Sequence, residues 1–214
     1  MIFGVDEAGR GSVLGPLIVC AVGVKKNDLK FLKKIGVRDS KLLSDGKRTV
    51  LSAKILNLAI YKLLEISPKQ IDDLRKNISL NKITLSKFAE ALIALNVSET
   101  DEIYVDSCDV KAERFGEDLK KLISHKKIVS EHKADSKYLV VSAASILAKV
   151  RRDEKIEELK KKVGIDFGSG YPSDERTIRF LREWYLSHKN FPDFARKSWK
   201  TLEKLKQKNL DSFL

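Results

Sequence analysis

Carboxylates recur where apolar runs end: Asp6 and Glu7 after IFGV, Asp106 after EIYV, and Asp135 at the close of KIVSEHKAD. Acids at the carboxyl ends of neighbouring strands converge on one edge of a sheet, where α/β proteins place their ligands. Left to itself such a cluster is unfavourable, since two carboxylates about 4 Å apart repel by roughly 4 kcal/mol at an effective dielectric near 20. Divalent cations remove that penalty, and an all-oxygen ligand set points to Mg²⁺ or Mn²⁺ rather than zinc. Four acids around two cations suit phosphodiester hydrolysis, one ion preparing the water and the other receiving the leaving oxygen. Taken singly, each acid reads as a helix cap or turn residue; their recurrence after apolar runs is what singles them out. Glu102, Asp109 and Glu131 lie near enough in sequence to join them. Successive strand side chains point to opposite faces, so Asp6 and Glu7 share a site only if the strand ends or bends there. Asp6 therefore takes the central, bridging position and Glu7 a subsidiary one. The three histidines, His125, His132 and His188, lack zinc-site spacing, and only His132 stands close to one of the acids.

After the first acid pair comes Gly9-Arg10-Gly11. Gly9, Gly11 and Gly15 do not make G-x-G-x-x-G, no Lys-Ser/Thr follows, and a strand pattern with Pro16 succeeds them, which excludes a dinucleotide or nucleoside-triphosphate loop. Alone, the segment reads first as a strained hairpin turn. Two glycines around an arginine also let bare backbone approach a ligand closely. A sugar 2′-hydroxyl, which both donates and accepts, is a suitable one.

The elements that must position these residues follow from periodicity and punctuation. Strands are expected over 2–6, 17–24, 59–66, 102–107 and 127–135. Helices are expected over 29–35, from an N-cap at Ser44 to Asn57 with Leu51, Ile55 and Leu58 inward, and over 78–96 with Ile83, Phe88, Ala91, Leu92 and Leu95 inward. Further helices are expected over 113–123 and 141–163, from a cap at Ser173 to His188, and from near Ser198 onward. The first three strands are close enough in sequence to pair antiparallel, while later ones alternate with helices, which gives an α/β domain with a mixed sheet. A helical part follows from about residue 166, after which Gly168, Gly170 and Pro172 interrupt the chain.

The chain of 214 residues holds 42 Lys and Arg against 30 Asp and Glu, a net charge of +12. That excess favours a polyanionic partner, nucleic acid before membrane. Cys20 and Cys108 lack metal-ligand spacing, and Cys20 falls in an apolar run as a core residue. With no disulfide framework, no leader pattern and no apolar run long enough to span a bilayer, a cytoplasmic protein is expected. One Met and two Cys among many Lys and Glu resemble the composition of a thermophile's protein.

VDEAGRG (5–11), RDSK (38–41), YVDS (104–107), EHKADSKY (131–138), SAASILAKV (142–150) and FGSGYPSD (167–174), in this order, resemble ribonuclease HII, its archaeal branch most closely. The resemblance runs from residue 2 to about 202. It implies a ribonuclease H-like mixed β-sheet flanked by helices over 1–165 and a helical C-terminal nucleic-acid-binding part over 166–206. It implies an endoribonuclease that hydrolyses the RNA strand of RNA/DNA hybrids and ribonucleotides embedded in DNA. Cleavage would fall 5′ of the ribonucleotide, leaving 3′-hydroxyl and 5′-phosphate ends. By the same resemblance Asp6, Glu7, Asp106 and Asp135 hold two ions, Mg²⁺ or Mn²⁺. Asp6 bridges them, Asp106 and Glu7 hold the ion near the leaving group, and Asp135 holds the one near the water. Gly9, Arg10 and Gly11 match the backbone that reads the ribose, and Tyr171 the tyrosine packing on the following sugar. Lys41 matches a family lysine near the nucleic-acid backbone, and Lys137 is a secondary candidate for a similar task. Ser12 stands where the family more often has proline, a change that would loosen the turn. Two competing readings are a DNA nuclease or resolvase of the same architecture and a non-catalytic clamp-tethered binding module.

Between Arg196 and Lys208 six basic residues face one acid, with Trp199, Leu202 and Leu205 as an apolar stripe. This reads as a helix packed on the body with a phosphate-facing side. In the last eight residues, 207–214, Gln207 precedes Leu210, Phe213 and Leu214, and the last three are spaced to fill an apolar groove from one helical turn. The pattern resembles the short motif by which replication proteins bind the sliding clamp. Nothing in the sequence requires more than a monomer.

Overall fold

The run IFGVDEA forms strand β1 (Ile2–Ala8), and LIVCAVGV forms β2 (Leu17–Val24), antiparallel to it. The structure, a computed structural model, describes residues 1–37, 44–125 and 127–211, with 208–211 described by backbone alone. Lys41, Phe213 and Leu214 therefore lie outside the described residues, and of Leu210 only the backbone is described.

Among the described residues the sheet has five strands in the order β3-β2-β1-β4-β5, with β3 at Ile60–Ile66, β4 at Glu102–Asp106 and β5 at Ile128–Glu131. β1 pairs with β4 in parallel, and β4 with β5 in parallel, so the sheet is mixed as expected. The central strand β1 and its neighbour β2 are buried along their lengths, Glu7 alone being half-buried. β2 is wholly apolar, as strands of a sheet covered on both faces are, whereas β1 carries Asp6 and Glu7 near its end.

The helices are α1 (Leu29–Lys34), α2 (Asp45–Leu58), α3 (Pro68–Arg75), α4 (Leu80–Ile93), α5 (Ala112–Ile123), α6 (Ala134–Lys137), α7 (Leu139–Val163), α8 (Glu175–His188) and α9 (Lys200–Asp211). Ser44 sits at the N-cap of α2, but its side chain makes no capping bond, and Leu58 at the far end is exposed rather than inward. Ile83, Phe88, Ala91 and Leu92 of α4 are buried, whereas Leu95 lies past the helix and only half-buried. Asp174 rather than Ser173 caps α8, accepting from the Arg176 amide at 3.0 Å.

Two compact units divide the chain. The first comprises Met1–Ala8, Ile18–Leu64 and Ser79–Arg151; the second comprises Gly9–Leu17, Glu65–Ile78 and Arg152–Leu214. The core of the first joins β1 and β2 to Leu51 and Ile55 of α2 and to the small residues of α7. A side chain at Gly4 would place its Cβ 2.2 Å from the Val140 carbonyl carbon, so only glycine lets the start of α7 lie against β1. The core of the second unit gathers Val13, Leu14, Phe167, Phe180, Leu202 and Leu205. Its Phe167 and Phe180 rings have centroids 5.3 Å apart. Among the described residues no helix is long and apolar enough to cross a membrane.

Candidate active site

The parallel register of β1 and β4 pairs Val5 with Val105. One residue further along each strand places Asp6 beside Asp106 on the same face. Asp135 arrives differently from the expected strand end. β5 stops at Glu131, Lys133 turns the chain with φ of 57°, and Asp135 sits in the short helix α6. Asp106 helps fix that helix, because its Oδ1 accepts from the Ala134 amide at 3.0 Å. One carboxylate oxygen from each of Asp6, Asp106 and Asp135 thus lies within 4.8 Å of the others. Asp6 and Asp135 are buried and Asp106 is half-buried.

Glu7 is not in this group. β1 continues through Ala8, so Glu7 alternates to the other face of a regular strand and is half-buried there. The other acids that sequence spacing left open are engaged with cations instead. Glu102 pairs with Lys26 at 3.1 Å, Asp109 with Arg114, and Glu131 with Lys137. Lys137 is thereby tied to Glu131, which also accepts from the Tyr138 hydroxyl at 3.0 Å. His132 has its ring nitrogens 3.3 Å from the Ser107 and Val110 carbonyls and takes no part in the acid group.

Burial, reinforced by the Asp106 charge, pushes Asp6 up to about 7. A hydrogen bond from Ser145 and the charge of Lys149 act in the opposite sense. Lys149 Nζ donates to Ser145 Oγ at 2.8 Å, one turn earlier on α7. Sequence reasoning assigned no role to either residue, although both fall within SAASILAKV. Their spacing of four on one helix was the available signal. Three carboxylates at this spacing, two of them buried, fit hard divalent cations: the donors are all oxygen, and positive charge offsets the burial and then the Asp106 repulsion that push Asp6 up.

The second unit holds the glycine–arginine–glycine loop and Tyr171. Gly9 has φ of +82°, and a Cβ there would come within 2.7 Å of the Pro16 carbonyl and 2.8 Å of the Arg152 side chain. Gly11 is exposed, with open space where a Cβ would lie. The Ser12 hydroxyl, fully buried, donates to the Gly9 carbonyl at 2.8 Å, so this serine ties the turn instead of loosening it. Val13 and Leu14 donate to the Gly170 carbonyl at 2.8 and 3.1 Å, which stitches the loop to the segment bearing Tyr171.

Two buried arginines brace these loops, and sequence reasoning missed both. Arg152 donates to the Ser169 carbonyl at 2.7 Å and lies 4.4 Å from the centre of the half-buried Tyr171 ring. Arg196, fully buried, donates to the carbonyls of Gly9 at 2.7 Å, Arg10 at 2.9 Å and Gly15 at 3.1 Å.

The ribonuclease HII family model matches residues 3–202. Ribonuclease HII of Pyrococcus abyssi is 48% identical over 221 aligned residues, covering 100% of this chain and 97% of that protein. The chain belongs to the ribonuclease HII family. Ribonuclease HII of Methanosarcina mazei is also 48% identical, over 97% of each chain. The crystal structure of ribonuclease H2 from Pyrococcus horikoshii OT3 matches with a TM-score of 0.89 at 43% identity, covering 97% of both chains. The ribonuclease HII structure solved as a PCNA complex from Archaeoglobus fulgidus matches with a TM-score of 0.89 at 44% identity over 100% of both. As a member of the ribonuclease HII family the chain is an RNase H-type endonuclease, a hydrolase dependent on divalent metal, and the expected fold class stands.

Proposed function

We propose that this endonuclease cuts the RNA strand of RNA/DNA hybrids and DNA carrying embedded ribonucleotides, hydrolysing the bond 5′ of the ribonucleotide to leave 3′-hydroxyl and 5′-phosphate ends. The observation that carries the reading is the meeting of Asp6, Asp106 and Asp135 within 4.8 Å in a chain of net charge +12. Two ions, Mg²⁺ or Mn²⁺, would there activate the attacking water and stabilise the leaving oxygen. Asp6 would hold both, Asp106 the one near the leaving group, with Glu7 reaching that ion through its backbone carbonyl because its side chain alternates away, and Asp135 the one near the water. Ser145 and Lys149 would keep Asp6 ionised as a ligand, since both favour its charged form.

In this reading the backbone of Gly9, Arg10 and Gly11 contacts the ribose 2′-hydroxyl, and Tyr171 packs on the next sugar. Lys41 and Lys137 would face the nucleic-acid backbone, Lys137 after leaving Glu131. Residues 1–165 would form the catalytic domain, 166–206 a nucleic-acid-binding part, and 207–214 a tail for the sliding clamp through Gln207, Leu210, Phe213 and Leu214. The relative from Archaeoglobus fulgidus, solved as a PCNA complex, supports the clamp reading. We take the enzyme to act as a cytoplasmic monomer.

The test is cleavage of a duplex bearing one ribonucleotide, with and without divalent metal, beside its all-DNA twin. Metal-dependent cutting of the first alone is expected. Equal cutting of both would instead favour a DNA nuclease or resolvase. If neither duplex were cut and Asp6→Asn left binding of both intact, the reading of this chain as a clamp-tethered binding module would be favoured.

A further inference from the structure

Arg196 is the largest fully buried side chain among the described residues, and its guanidinium binds backbone carbonyls rather than a carboxylate. Burial first, then the charge of Arg152, pushes it down to about 9. A charged group so placed is unfavourable unless its hydrogen bonds do something that an apolar side chain would not. Two of its three acceptors, the carbonyls of Gly9 and Arg10, belong to the glycine–arginine–glycine loop itself.

Peptide units are planar and, in this chain, trans, so each C=O opposes the N–H of the next residue. A carbonyl of Gly9 held by Arg196 fixes the direction of the Arg10 N–H, and a carbonyl of Arg10 fixes that of the Gly11 N–H. Both amides are turned away from the buried guanidinium, and Gly11 is exposed. Hydrogen bonding of the carbonyls to a charged donor also polarises these peptides, which strengthens their amides as donors.

The turn that presents Arg196 is fixed in its own right. Asp72 of α3 accepts from the Lys197 amide at 2.7 Å, the Ser198 amide at 3.0 Å and the Ser198 hydroxyl at 2.6 Å. Arg75, one turn later on α3, donates to the Ser198 carbonyl at 3.3 Å. The guanidinium groups of Arg75 and Arg196 lie 4.6 and 4.9 Å from the centre of the Trp199 ring.

We propose that Arg196, held by Asp72, is the positioning residue that sets the amides of Arg10 and Gly11 as hydrogen-bond donors to the ribose 2′-hydroxyl and so fixes discrimination between ribonucleotide and deoxyribonucleotide. This rests on the reading of the loop as the ribose contact. Lysine keeps the charge of arginine, but its three N–H donors radiate from one rotatable nitrogen and cannot reproduce the planar fork that spans three carbonyls.

Binding of a duplex with one ribonucleotide and of its all-DNA twin is measured with Ca²⁺ in place of the catalytic metal, followed by single-turnover cleavage with Mn²⁺. Arg196→Lys is expected to lower the binding preference for the ribonucleotide at least tenfold, with all-DNA affinity within twofold of the parent. A preference within twofold of the parent overturns the proposal. If Arg196→Lys fails to fold, Asp72→Ala decides, because it leaves Arg196 in place but releases its turn. A threefold or greater loss of preference is then expected, and an unchanged preference overturns the proposal. Gly11→Ala separates the two levels of the argument, since its Cβ has room in the free protein but would stand in the path of a ligand. Unchanged preference in Gly11→Ala overturns the loop reading itself; lost preference there with intact preference in Arg196→Lys overturns only the role of Arg196.

Discussion

Asp6 and Asp106 stand at the same level of adjacent parallel strands, with carboxylate oxygens within 4.8 Å of each other. The fold therefore forces together two charges that burial already disfavours, and a metal-free protein must hold a proton there or bear the repulsion. The metal dependence of the family becomes, in this chain, a consequence of strand register.

Asp6→Asn should separate activity from stability. The amide keeps the shape of the carboxylate but removes the charge that a cation needs. Cleavage of a ribonucleotide-bearing duplex should fall to background. In chelator at pH 8 the variant should unfold at a higher temperature, more stable by about 0.5–2 kcal/mol, as relief of a strained functional site commonly gives. Activity retained with lower stability would contradict the assignment.

The same pair gives a pH dependence with a definite sign. Asp6 is pushed up to about 7 when folded, against an unfolded value near 4. Between those values the folded state binds more protons, so its stability falls as pH rises through the window from about 4 to 7. The melting temperature of the chelated parent, minus that of Asp6→Asn, should decline across that window. Added Mg²⁺ or Mn²⁺ should restore it at the upper end, because the ion binds only the folded protein.

Much of this was legible in the sequence. The strands β1, β2 and β4 emerged from apolar runs, and the acids that close the runs of β1 and β4 marked two members of the site, Asp6 and Asp106. The fifth strand was overextended because KIVSEHKAD carries no glycine or proline, yet Lys133 adopts the left-handed turn that delivers Asp135. α3 went unread although Ser67 and Gln70 form a capping box at its start, with Pro68 as its first residue; an eight-residue helix gives too short a period to stand out. Arg152 and Arg196 were invisible for a different reason. Among 42 basic residues, nothing in local sequence distinguishes an arginine that binds buried carbonyls from one that faces water.

Glycines of the loop should differ in what they do. Gly9→Ala meets both a positive φ and a carbonyl at 2.7 Å, and should cost at least about 1–3 kcal/mol of stability. Gly11→Ala should unfold within about 0.5 kcal/mol of the parent. Thermal or urea unfolding of the two variants checks this, and equal losses would contradict the loop geometry.

Tyr171 offers an aromatic face braced by Arg152. Tyr171→Ala should weaken binding of a ribonucleotide-bearing duplex by about 1–3 kcal/mol, the range for a lost stacking contact. Tyr171→Phe, which keeps the face, should bind within about threefold of the parent, a difference of roughly 0.6 kcal/mol. Equal behaviour of the two variants would remove the stacking role.

Deleting residues 207–214 should abolish binding to the sliding clamp in a direct affinity measurement. Cleavage of a short duplex without the clamp serves as the check that the truncated protein is folded. Undiminished clamp affinity would place the contact elsewhere on the chain.

The most direct measurement of the central claim is a crystal of the protein soaked in Mn²⁺, with the anomalous signal of the metal mapped. The account predicts a peak bounded by the carboxylates of Asp6, Asp106 and Asp135, at about 2.0–2.2 Å from oxygen as hard cations of this size require, and its loss in Asp6→Asn. A well-ordered crystal with no peak among these three acids, or with manganese held only elsewhere, would contradict it.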